Sequence, residues 1–149
     1  MKLLALGIFA IALSGAALAE DYLTVKKGKW ASSQSIRTIL TVDGETTQMP
    51  PEIETDVECW NTDEDTRLGP SMLGLDECTI VNAETTTSKL DLDLSCNFDG
   101  VPMNGDVTVT VSEDEEVVKG LINFSTEMNG ASVTADGVLT AIYVGRCTG

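Results

Sequence analysis

Histidine is absent from this chain, and with it goes most of the common machinery of hydrolysis and metal binding. Without imidazole there is no Ser-His or Cys-His nucleophile, no His-based metal site and no general base that titrates near neutrality. Positive charge is scarce as well: 9 Lys and Arg stand against 24 Asp and Glu, a formal charge of −15. A field of that sign repels nucleic acid and anionic lipid head groups, which makes both poor candidates for partners. No glycine-rich phosphate loop opens a helix, and no Gly-x-Ser-x-Gly turn occurs. Carboxylates are abundant, but nearly all fall at outward positions of alternating strands, where they keep ordinary pKa values and make poor general acids. The expectation is a protein that is not an enzyme, with no cofactor and no bound metal.

Long apolar runs are missing after the first 19 residues. Met1-Lys2 leads into an apolar and small-residue stretch from Leu3 to Leu13, followed by Ser14-Gly15-Ala16-Ala17-Leu18-Ala19 and the charged pair Glu20-Asp21. One positive charge, a short apolar core and small residues at Ala17 and Ala19 read as a secretory signal over 1–19, cut after Ala19. Residues 20–149 then form one domain with no membrane span, periplasmic or secreted, and no cysteine near the cut offers a lipid attachment point. Loss of Lys2 with the leader leaves 8 basic residues against 24 acidic ones, a formal charge of −16.

All four cysteines, Cys59, Cys78, Cys96 and Cys147, follow the leader, and an even number in an exported chain implies two disulfides. A four-thiolate zinc site needs closely spaced pairs, and the closest here, Cys78 and Cys96, stand 18 apart.

What the sequence has in quantity is period two. Ile36, Thr38, Leu40 and Val42 alternate with Arg37, Ile39 and Thr41 before an Asp43-Gly44 turn. Ile53, Thr55, Val57 and Cys59 alternate with Glu52, Glu54, Asp56 and Glu58, which predicts a half-buried strand with its apolar residues inward. Leu90, Leu92, Leu94, Cys96 and Phe98 alternate with polar residues, as do Val107, Val109 and Val111. Two further strands are expected over 117–126 and 133–146, separated by Asn129-Gly130, with Glu113-Asp114-Glu115-Glu116 as a solvated turn. Strand after strand through short turns predicts an all-β antiparallel meander, a curved sheet closing towards a barrel, or a two-layer sandwich.

One segment departs from this pattern. Asn61-Thr62 followed by Asp63, Glu64 and Asp65 reads as a cap with acids in a first turn, so a short helix is expected between Asn61 and Leu75, ending near Gly69-Pro70. Asn61, Asp63 and Asp65 also occupy the first three ligand positions of a calcium loop. Thr66 stands where that loop needs glycine and Met72 where it needs a bidentate glutamate, so the match is read as coincidence.

Gly28-Lys29-Trp30 at the start of the first long strand and Arg146 near the end of the last look like the Gly-x-Trp and terminal arginine of lipocalin-type ligand carriers. That likeness implies a guanidinium stacked on the indole at the closed end of a barrel. Together with Met49-Pro50, Cys59 before Thr62-x-Glu64-Asp65, Cys78 and Cys96 around a hairpin, and Gly145-Arg146 before Cys147, the Gly28-x-Trp30 start resembles the bacterial exported family known as domain of unknown function 3617. The resemblance implies an exported, disulfide-bonded β domain and supplies no activity or catalytic residue. Of the three possible cysteine pairings, Cys78 with Cys96 and Cys59 with Cys147 are preferred. The first staples a hairpin turning at Thr85-Thr86-Thr87-Ser88, and the second ties the last strand to the middle of the sheet. Asn82 and Glu84 interrupt the alternation after Cys78.

Two functions compete. Gly120, Ala135, Gly137 and Ala141 on the late strands leave room for a small hydrophobic ligand inside the sheet. The alternative is an envelope protein that binds another protein through its acidic faces or an open sheet edge.

Overall fold

The structure, a computed structural model, describes residues 22–69 and 76–148. The expected leader and its expected cut lie outside those residues. Among the described residues ten strands follow in chain order: β1 (Leu23–Thr24), β2 (Gly28–Val42), β3 (Glu45–Gln48), β4 (Glu52–Trp60), β5 (Arg67–Leu68), β6 (Cys78–Thr85), β7 (Lys89–Phe98), β8 (Val101–Val111), β9 (Val117–Met128) and β10 (Ala131–Gly145).

Eight of them form one antiparallel sheet in the order β3-β2-β10-β9-β8-β7-β6, with β4 paired to the same side of β2 as β3. This is the expected meander. Three of its hairpins turn on two residues of positive φ, Asp43-Gly44, Asp99-Gly100 and Asn129-Gly130. Such turns match the right-handed twist of the strands they join. The acidic connection between β8 and β9 is largely exposed, as expected, and Ser112 Oγ accepts the Glu116 and Val117 N–H groups to hold it. Among the described residues nothing joins β6 to β3 or β4, so the sheet has two free edges and is not a closed barrel.

Register assigns every side chain to a face. Leu90, Leu92, Leu94 and Cys96 of β7, Val107, Val109 and Val111 of β8, Val118 of β9, Ala141 of β10 and Trp30 of β2 share one face, and all are buried. Beyond the sheet, Leu23 and Val25 close one end of this core, each at most 2% exposed. Their strap is fixed by pairing of β1 with β5 and by the Val25 N–H donating to Thr66 O. Burial of each of these side chains contributes about 1.5–3 kcal/mol.

β4 overturns one expectation. Ile39 pairs with Gln48, whereas Ile36 pairs with Glu52, so three steps along β2 are matched by four along the partner chain. The extra residue sits in Met49-Pro50-Pro51, where two prolines have no N–H to give the ladder and Met49 N–H reaches Thr38 O. A one-residue slip sends each following side chain to the opposite face. Glu52, Glu54, Asp56 and Glu58 therefore lie on the inner face, opposite Ile36, Gln34, Ser32 and Trp30. Ile53 and Val57 point outward and are 66% and 57% exposed.

The expected helix is also replaced. Residues 70–75 lie outside the described residues, and over 61–69 the chain makes a single hydrogen-bonded turn before entering β5. Asp65 Oδ2 accepts the Asn61 and Thr62 N–H groups, while Thr62 Oγ1 accepts the Asp65 N–H. These reciprocal bonds close one turn; Thr66 O is then taken by Val25 N–H, which draws the chain into β5 instead of a second turn. Asp63 pairs with Lys27. Of the two aspartates of the calcium-loop pattern, Asp65 thus fastens the turn and Asp63 ties it to Lys27.

Hydrogen bonding from Thr62, first from its backbone N–H, holds the Asp65 carboxyl below the ordinary 3.8. A depressed folded-state pKa contributes stability that is complete above the unfolded value and is lost as pH falls through the folded one. Acid should therefore release this turn. Hydrogen exchange at the Asn61 and Thr62 amides should accelerate as pH drops below 3.8, relative to amides of β8, and equal protection at all acid pH values would contradict this.

Candidate functional site

Three aromatic rings build the floor of the inner face at the end nearest the strap. Trp30 is 1% exposed, stacks on Trp60 at 4.8 Å between ring centroids and meets Tyr143 edge-on at 6.0 Å. Its Nε1–H donates to Lys26 O at 2.9 Å, so the buried indole is satisfied. Gly28 makes the close approach possible. At φ 153° it occupies a region that favours glycine, and a Cβ there would lie 2.3 Å from the Tyr143 ring and 2.5 Å from Gly145 O. Lys26 sits over the Tyr143 ring and pairs with Glu116.

Above this floor lies a cavity of about 230 Å³. Leu90, Val109, Val118, Leu139 and Ala141 line it from β7 to β10, Leu68 and Gly69 close it from the β5 side, and Trp60 forms a wall. Ser32 and Glu58 are its only polar side chains among the described residues. Trp60 Nε1 donates to Glu58 Oε2 at 3.2 Å, which steers that carboxylate along the indole. The cavity also measures the curvature of the sheet. Five strand spacings separate β4 from β7 in the order β4-β2-β10-β9-β8-β7, ~24 Å if the sheet were flat. Trp60 and Leu90 nevertheless line the same small space, so the sheet coils strongly around its inner face.

The sequence-predicted residues divide. Gly28 and Trp30 meet at the floor, in register with Trp60 and Glu58. Arg146 does not stack on Trp30: it is exposed, and Trp60 and Tyr143 are the rings packed on that indole. The physical reason lies in the chain end. Cys147 is bonded to Cys59, whose position in β4 is on the outer face, and this draws the residues after Gly145 away from the core. Cys78 is bonded to Cys96 directly across the β6–β7 hairpin, and both pairings are those preferred from the sequence. Two disulfides in one small domain belong to an extracytoplasmic setting.

Of the small residues, only Ala141 lines the cavity. A Cβ on Gly120 would touch Leu139, and one on Gly137 would touch Ile122 and Ile36, so these glycines bring strand side chains close instead of leaving space. Sequence reading missed Trp60 and Glu58. Trp60 shares its parity along β4 with the four acids, and the Pro50-Pro51 doublet signals a bulge upstream; together they are the signal that places that row inward.

No protein-family model matches this chain, and no curated protein matches it. Among solved structures, the chain is similar to Ail, the attachment invasion locus protein of Yersinia pestis, with 8% identity and a TM-score of 0.33 over 79% of this chain and 99% of that one. A likeness at that level assigns no function.

Proposed function

We propose that the protein is a non-enzymatic binding module of the periplasm or the secreted fraction whose coiled sheet holds a small hydrophobic ligand. The observation that carries this reading is the 230 Å³ cavity, walled by aliphatic side chains of four consecutive strands and by Trp60, which stacks on the buried Trp30. Ligand pockets for drug-sized molecules run to roughly 300–1,000 Å³, so this one suits a single short aliphatic chain. Its position against Trp60 gives a direct readout. Titration with 1-octanol should shift tryptophan emission in the wild-type protein. Ala141→Phe, which fills the cavity from β10, should weaken that binding at least tenfold while the far-ultraviolet circular dichroism stays β-type. Equal octanol affinity in the two proteins, or no emission change in the wild type, would overturn the reading.

A further inference from the structure

The polar side of the cavity is one-signed. Glu58 lines it directly, and Asp56, Glu54 and Glu52 continue along the same face of β4 away from the floor. Across the strand these four carboxylates meet Trp30, Ser32, Gln34 and Ile36, none of which carries charge. Ion pairs among the described residues engage Lys26, Lys27, Arg37 and Lys89 with other carboxylates, and none includes a residue of β4. No lysine or arginine lines the cavity among the described residues. An apolar chain seated between Leu90 and Leu139 meets Glu58 as the one charged side chain lining its cavity among the described residues, with further carboxylates along the same face of β4.

Resting on the cavity reading above, we infer that the ligand is a cationic amphiphile, a short aliphatic chain ending in an ammonium group, and not a fatty-acid anion. A carboxylate head would be placed beside Glu58 with no cation to meet it, inside the field of a chain of net charge −15. An ammonium head gains a charge-assisted hydrogen bond to the Glu58 carboxylate, which is itself exposed to solvent. The bulge at Met49-Pro50-Pro51 is what makes this arrangement, because without its extra residue β4 would turn Ile53 and Val57 to the ligand.

Octylamine, 1-octanol and octanoate share one chain length and differ in head charge, so their tryptophan-monitored affinities at neutral pH and low salt isolate the head group. Octylamine should bind roughly three- to tenfold more tightly than octanol, and octanoate more weakly than either. Glu58→Gln, which keeps an acceptor for the Trp60 N–H, should erase the advantage of octylamine over octanol. Glu58→Lys should invert the order and favour octanoate. Octanol binding with no preference for octylamine, or octylamine preference that survives both substitutions, would overturn the ammonium assignment and leave the cavity reading standing. Failure of all three ligands to bind would overturn both.

Discussion

Replacing Cys59 and Cys147 together by serine should cost the protein about 4.5 kcal/mol, the chain-entropy value for releasing a loop of 88 residues. The effect is large because small domains have only about 5–15 kcal/mol of net stability. It is also specific. This bond joins β4 to the chain end beyond β10, and the only strand β4 pairs with among the described strands is β2. Urea unfolding should show the lower midpoint, and Trp60 emission should redden before the β7–β8 core unfolds. Replacing Cys78 and Cys96 releases a loop of only 18 residues between strands already in register, so the cost should be smaller, about 3 kcal/mol. Similar midpoints for the two double variants would mean that loop length does not govern their contributions.

Trp30→Ala should be comparably damaging, about 3–5 kcal/mol, the range for deleting a large buried aromatic side chain. Trp30 is buried, stacked on Trp60, edged by Tyr143 and hydrogen-bonded to Lys26 O. Its removal takes away a side chain of the same core that covers Leu23 and Val25, so the strap should loosen along with the floor. Limited trypsin digestion would register this as faster cleavage after Lys26 and Lys27. Trp60→Ala removes the other half of the stack from a less buried position and should cost less. A Trp30→Ala protein with wild-type stability and an uncut strap would show that the aromatic floor is incidental to the fold.

The parts of the fold that were legible in the sequence are those where one local rule acts alone. Alternation along Leu90 to Phe98 and Val107 to Val111 placed the buried face correctly, because both strands are central and are read by the same register from end to end. Asp43-Gly44 and Asn129-Gly130 were legible as turns from residue type. The parity of β4 was not, since it depends on a single extra residue some positions upstream, and the most regular alternation in the chain was assigned to the wrong face for that reason. The turn at Asn61 to Thr66 carries true capping residues, yet the N–H of Val25, just beyond β1 and distant in sequence, takes Thr66 O and stops the helix at its first turn. Glu58 and Trp60 reach the cavity only because the bulge shifts the parity of β4.

The two ends of the sheet guard against polymerisation by different means. A second copy adding β4 to β4 in antiparallel fashion would set two rows of four carboxylates on one surface, where like charges repel. The opposite border is β6, whose Thr79-Ile80-Val81-Asn82-Ala83 carries no charge, but an extra residue at Val81 kinks it and spoils a straight template. Of the two safeguards only the carboxylate row is reversible: protonation or divalent counterions weaken it, and self-association begun that way would start at β4.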